Sequence, residues 1–171
     1  MTTVVVYESM FGNTKEIAES LASGLAESGL VQIHEVTEVV ELPDDLELLV
    51  VGGPTHAFSM SKPATRQDAK KKVPSGEIIS AGNGMREWIA ALPKSHGEVA
   101  VATFDTRTKH PRLPGSAAKA AGKALAARGY HPIAAPETFD VEGMTGPLPP
   151  GETERARAWG ACLGNLVRTP R

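Results

Sequence analysis

Apolar positions along this chain form two kinds of run. Val4–Tyr7 and Leu46–Val51 are short and continuously apolar, as strands buried on both faces are. Between them Ile17, Leu21 and Leu25 recur every four residues, with Ala18 and Ala22 beside them. That is the stripe of an amphipathic helix of about four turns, closed by Gly29. Val31–Val36 alternates weakly and predicts a second strand. Leu46–Val51 is then the third, stopped by Gly52, Gly53 and Pro54. Ala64–Lys72 predicts a short polar helix and Met85–Leu92 another helical piece. Glu98–Phe104 predicts a fourth strand, and alanine-rich Ser116–Arg128 a helix closed by Gly129. His131–Val141 contains a fifth, less regular strand. The last helix is expected from about Glu152 to Val167, burying Ala156, Trp159, Leu163 and Leu166.

Strand and helix therefore alternate about five times, which predicts an α/β fold with a parallel sheet covered on both faces. Right-handed crossovers leave few topologies for such a chain. With 171 residues and no interdomain linker or repeat, residues 1–171 are expected to form one domain. The proline-rich segment "GPLPPGE", residues 146–152, predicts a rigid loop before the final helix.

Composition narrows the function classes. Hydrophobic residues at 41% and charged residues at 22% suit a soluble globular protein. No apolar run has the length of a membrane span, and the N-terminus has no basic segment followed by a long apolar one. A cytoplasmic location without membrane contact is expected. Cys162 is the only cysteine, which excludes an internal disulfide and any multi-cysteine metal site. It is expected to be small core filler. Trp88 and Trp159 are expected to anchor their helices in the core, and His34, His96 and His131 to be ordinary surface or strand-edge residues. Residues 1–50 carry ten acids and one base, whereas residues 61–130 carry thirteen bases and five acids. Such a split either orients a charged partner or simply solvates two surfaces. The basic stretch has few aromatics to stack on bases, so nucleic acid is not expected as a partner.

The candidate chemistry lies in the turn after the first strand, Ser9–Thr14. In a doubly wound sheet, ligands bind beyond the carboxyl ends of the strands where strand order reverses. This turn also opens a helix, whose free N–H groups and dipole favour an anion. Gly12 permits close backbone approach, and Ser9, Asn13 and Thr14 offer neutral donors. The same residues also suit an ordinary helix N-cap. Neither a triphosphate-binding P-loop nor a G-x-G-x-x-G dinucleotide fingerprint is present, and no G-x-S-x-G elbow makes Ser9 a nucleophile. In the strand order 2-1-3-4-5 the loop after the third strand stands beside this turn. It offers Thr55 as a donor and His56 and Phe58 as flat rings.

Three stretches resemble the flavodoxin and flavodoxin-like FMN-binding family. "SMFGNT" (Ser9–Thr14) is similar to its phosphate loop, "GGPTHAF" (Gly52–Phe58) to its second loop in the style of quinone-reductase-like members, and "GPLPPGETERARAWG" (Gly146–Gly160) to its approach to the final helix. The similarity runs in order along essentially the whole chain. It implies a flavodoxin-like three-layer sandwich with a five-stranded parallel sheet of order 2-1-3-4-5, helices on both faces, and FMN as cofactor. By position it implies a phosphate site at Ser9, Met10, Phe11, Gly12, Asn13 and Thr14. A first ring wall is implied at Pro54, Thr55, His56, Ala57 and Phe58, and a second loop at Phe104, Asp105, Thr106 and Arg107, extending to Thr108.

That second loop departs from the family. Flavodoxins place a glycine-rich, acidic segment with a stacking aromatic there, whereas Asp105, Thr106, Arg107, Thr108, Lys109 and His110 include no tyrosine or tryptophan. Arg107 suits stacking by its guanidinium plane, donation to the ring's N1/O2 edge, or an exposed basic loop with no ring contact. The resemblance implies an FMN-dependent electron-transfer protein serving a redox partner protein. Its rivals are an NAD(P)H-dependent quinone-type oxidoreductase, with Arg107–Arg112 receiving a nucleotide phosphate and a small acceptor following, and a partner-binding module that has lost tight flavin binding. A monomer or small homo-oligomer is expected.

Overall fold

The computed structural model describes residues 1–39, 41–96, 98–111 and 113–169. Its strands are Thr2–Tyr7 (β1), Leu30–Glu35 (β2), Leu48–Pro54 (β3), Ala100–Thr108 (β4), His131–Pro132 (β5) and Glu137–Val141 (β6). Its helices are Asn13–Leu25 (α1), Pro63–Lys70 (α2), Met85–Ala91 (α3), Ala117–Ala127 (α4) and Glu152–Arg168 (α5).

All strand pairs are parallel, in the order β2-β1-β3-β4-β5, with β6 also paired to β4. β5 meets Ala100 and Val101, while β6 meets Phe104–Thr108. They are two parts of one fifth strand, interrupted where Pro136 has no N–H to give a ladder. The expected order 2-1-3-4-5 therefore holds.

Side-chain alternation along the strands divides the core into two layers. Val4, Val6, Leu49, Val51 and Val101 face Met85 and Ile89 of α3 and Ala121 and Leu125 of α4. Val5, Tyr7, Leu48, Val50, Ala102 and Phe104 face Ile17 and Leu21 of α1 and Ala156 and Leu163 of α5. Phe104, Phe139 and Trp159 meet edge to face, with centroids 6.1–6.4 Å apart. No helix among the described residues is long and apolar enough to cross a membrane.

Several boundaries and burials differ from the sequence-based expectations. β3 does not stop at Gly52 but runs through Gly52 and Gly53 to Pro54. Both glycines face bulky neighbours, Phe104 and Met85, and the missing side chains make room for them. β4 starts at Ala100 and continues past Phe104 to Thr108, because β6 supplies a ladder partner for each of those residues. Leu166 is 49% exposed and Cys162 is exposed, so neither joins the core. The buried face of α5 passes instead through Ala156, Gly160, Leu163 and Gly164. Gly160 lies against the Leu21 backbone and Gly24 against the Arg157 backbone, so α1 and α5 approach too closely for any side chain between them.

Candidate functional site

The carboxyl ends of β1, β3, β4 and β6 lie along one sheet edge, and a cleft of about 380 Å³ opens there. Its size is that of a small-ligand site. The β1–α1 turn forms its floor. Gly12 has φ +99°, a left-handed conformation that glycine adopts without strain. The turn then opens α1, where the N–H groups of Asn13 and Thr14 have no acceptor within the helix ladder.

Buried carboxylates hold this turn in place from behind. Ser80 Oγ donates to Glu35 Oε1 (2.5 Å) and accepts from Ser9 N (2.9 Å), while Ser80 N donates to Ser9 O (2.8 Å). Ile79 N donates to Met10 O (3.1 Å). Glu8, fully buried, accepts from Ser61 Oγ and from Met85 N (2.8 Å). Burial pushes its carboxyl pKa up, against the opposing pull of those two donors. Arg66 of α2 donates to Ser61 Oγ (2.7 Å) and forms a forked pair with Glu87 of α3. Turn, α2 and α3 are thereby joined by one polar network.

The hydroxyls in the turn are already engaged. Ser9 Oγ accepts from Gly12 N (3.2 Å) and Lys15 N (3.3 Å). Thr14 Oγ1 is 2.7 Å from Thr106 Oγ1, joining α1 to β4. Asn13 Nδ2 donates to Thr145 O (3.1 Å), drawing the β6–α5 loop over the turn. The only base in the turn region, Lys15, pairs outward with Glu19 at 3.9 Å.

The first wall is the end of β3 and the turn that follows. His56 and Ser59 exchange backbone hydrogen bonds around Ala57 and Phe58, whose φ values are +44° and +73°. Positive φ at both central positions is the requirement of a type I′ turn. His56 lines the cleft, with Nδ1 3.2 Å from Thr65 Oγ1 of α2. Burial, reinforced by the Arg66 and Lys72 charges, lowers its pKa to about 4, so it is neutral at pH 7. Phe58 is 54% exposed and does not line the cleft.

Of the residues expected at the site, the cleft brings together Ser9, Met10, Phe11, Asn13, Thr14, Pro54, Thr55, His56, Ala57, Thr106 and Arg107. Gly12 shapes the turn without lining it. Phe104 and Asp105 lie elsewhere, because that segment is strand and not loop. Phe104 is in the core, and Asp105 Oδ2 accepts from Thr55 Oγ1 (3.0 Å), Ser116 Oγ and Ala118 N (3.0 Å), anchoring the start of α4. Thr55 gives its proton to Asp105 and accepts from Ala117 N (2.9 Å), so its hydroxyl serves the scaffold. Arg107 lines the cleft, fixed by a bond from Nη1 to Gly115 O (2.8 Å). Lys109 and His110 are exposed, and Arg112 lies outside the described residues.

The sequence reading missed the contribution of α2 and the segment after it (Thr65, Asp68, Lys72) and of the segment after β6 (Gly143, Met144). The second was accessible in principle: in a parallel sheet every strand delivers its following loop to the same edge. Lys72 Nζ lies 3.6 Å from Met144 Sδ, so the two segments meet at the cleft. No cluster of potential metal ligands occurs among the described residues.

Comparison with known proteins agrees with this geometry. The flavodoxin family model matches residues 5–71, which run from within β1 through the glycine turn and β3 to the end of α2. No curated protein matches the chain. Solved structures share its fold across the full length. A flavodoxin from the domain Archaea has a TM-score of 0.66 at 20% identity, covering 99% of this chain and 100% of that one. Oxidised flavodoxin 1 from Bacillus cereus has a TM-score of 0.68 at 14% identity, with 100% of both chains covered. A WrbA-like flavodoxin from Agrobacterium tumefaciens has 0.60 at 20% identity, covering 98% and 97%. The 2-1-3-4-5 parallel sheet thus has the flavodoxin-like fold, and its N-terminal segment is similar to the flavodoxin family.

Proposed function

We propose that the cleft binds FMN and that the protein is an electron-transfer flavoprotein. One observation carries this reading: a left-handed glycine turn with uncommitted helix N–H groups shares a cleft with a planar, neutral ring, His56. The donor set fits a phosphomonoester, since Asn13 and Thr14 N–H groups and the Ser9 and Thr14 hydroxyls supply neutral hydrogen bonds at a helix N-terminus. Pro54 and Ala57 would form one ring wall with His56 at its edge, and Arg107 the other. Bound there, FMN would supply one- or two-electron transfer.

The chain's own contribution is positional and electrostatic. The Glu35–Ser80–Ser9 bonds hold the turn, and the Arg66–Glu87 pair holds α2 against the wall. Lys72 and Arg107 make the cleft positive, with Asp68 the opposing acid in its lining. That balance favours a second reading, an NAD(P)H-dependent quinone-type reductase, because a positive site stabilises added negative charge and attracts a nucleotide phosphate. A cytoplasmic location and a protein redox partner accord with the first reading.

The test is the visible spectrum of the purified protein before and after FMN addition, followed by NAD(P)H consumption with a quinone. A bound-flavin spectrum without turnover supports electron transfer. Steady turnover favours the reductase. Failure to bind FMN leaves a partner-binding module.

A further inference from the structure

Thr65 Oγ1 makes three polar contacts. It accepts from Lys62 N (2.9 Å), it lies 3.0 Å from Lys62 O, and it lies 3.2 Å from His56 Nδ1. A hydroxyl has one proton and two lone pairs. Lys62 N takes one lone pair. The Lys62 carbonyl has no proton, so that contact is a hydrogen bond only when the hydroxyl proton points to it. The remaining lone pair then requires a donor, and His56 Nδ1 is the group facing it. All three contacts are satisfied together only when His56 carries its proton on Nδ1. This is the opposite of the tautomer that free neutral histidine favours in water.

The other ring nitrogen is then a bare acceptor. Nε2 has no hydrogen-bond partner among the described residues, and the ring lines the cleft. None of the charged groups around it donates to Nε2. Arg66 is committed to Ser61 and Glu87, Lys72 meets Met144, and Asp68 pairs with Lys71 at 2.9 Å. The two nearby cations also disfavour a second proton on the ring. A wall with a fixed lone pair and no proton selects a ligand that brings an N–H.

We propose that His56 holds its proton on Nδ1, toward Thr65, and presents the Nε2 lone pair to the cleft as the acceptor for a ring imide N–H. This rests on the FMN reading above. It goes further by assigning ring recognition to a side chain, because the imide N3–H is the one N–H of an oxidised isoalloxazine. His56 is then a specificity-determining residue, and Thr65 a positioning residue that acts through it.

Two measurements decide the matter. The first is the side-chain nitrogen NMR spectrum of the ligand-free protein at pH 7. Nδ1 is expected to give the protonated, pyrrole-type signal and Nε2 the bare, pyridine-type signal, and Thr65→Val should abolish that preference. A protonated Nε2 in the wild type overturns the proposal. The second is fluorescence titration with FMN and with its N3-methyl analogue. His56→Ala should weaken FMN by about five- to tenfold, as loss of one hydrogen bond does. His56→Gln, whose amide oxygen also accepts, should recover part of that loss. The N3-methyl analogue should bind the wild type more weakly than FMN does and be indifferent to His56→Ala. Equal losses for both flavins in His56→Ala overturn the proposal and leave the FMN reading standing. If the wild type binds neither flavin, the FMN reading falls and the imide contact falls with it.

Discussion

Gly52 of β3 and Phe104 of β4 are register partners, and the Phe104 ring occupies the space where a Cβ on Gly52 would stand. The ring then reaches Phe139 and Trp159, so one missing side chain admits the aromatic cluster beneath the sheet. Gly52→Ala should displace Phe104 and destabilise the fold by about 1–3 kcal/mol or more, as overpacking in a close-packed core does. Denaturant unfolding at constant m-value measures it. An unchanged midpoint would mean that the ring has room to move.

Thr14→Ala removes a hydroxyl from the floor of the cleft. Losing one hydrogen bond to a charged group costs about 1.5–3 kcal/mol. FMN binding should weaken by about ten- to a hundredfold, and riboflavin, which has no phosphate, much less. Equal losses for the two flavins would remove the phosphate from this turn. Thr106→Val separates the roles, since it breaks the Thr14–Thr106 bond while keeping the Thr14 hydroxyl.

The acid sensitivity of the fold should depend on His56. Its pKa is about 4 when folded, against 6.5 for the ordinary side chain, so between these values the unfolded chain binds a proton that the folded one refuses. The contribution is complete above pH 6.5 and is lost as pH falls toward 4, up to about 3 kcal/mol in all. Glu8, raised by burial, acts with the opposite sign but is common to both proteins compared. His56→Gln should flatten the fall in stability between pH 6.5 and 4. Parallel profiles for wild type and variant would show that burial of this ring has no such cost.

Arg107 and Lys72 line the cleft, and a cation about 6 Å from a ring at an effective dielectric near 20 favours added negative charge by up to about 3 kcal/mol. Solvent screening cuts this to about a third or less. Arg107→Gln and Lys72→Gln should therefore each lower the potential of a bound flavin by an amount on the order of tens of millivolts. A redox titration of each variant tests this. An unmoved or raised potential would return the advantage to a low-potential carrier over a reductase.

Ala57 and Phe58 both sit at positive φ, where Asn-Gly is favoured. Left-handed backbone costs a residue with a Cβ about 1–3 kcal/mol where the surroundings enforce it. Gly115 packs directly on the Phe58 backbone and helps to hold the turn. Replacing Ala57-Phe58 by Asn-Gly should raise stability by about 1–2 kcal/mol, measured as a higher unfolding midpoint. A drop would show that the Phe58 side chain stabilises the fold by more than its backbone costs.

The alternation of apolar runs determined the layers of this molecule by itself. Val4–Tyr7 must be buried on both faces, and Ile17, Leu21 and Leu25 must cover one of them, whatever else the chain does. The Ser9–Thr14 turn was equally local: a glycine and small polar residues between a strand and a helix have few conformations open to them. Tertiary structure alone decided what lay in that turn's company. Phe104 and Asp105 read as loop residues because nothing within their own segment reveals that β6 will extend the ladder beside them. Cys162 and Leu166 read as core because helical spacing does not show that Gly160 and Gly164 seat α5 directly on its neighbours. Thr65, Asp68 and Lys72 carried no signal of a site at all, since a polar helix face looks the same whether it meets water or a cleft. His56 was visible as a flat ring, but its single proton was placed by Thr65, and that hydroxyl reaches it only once α2 has docked.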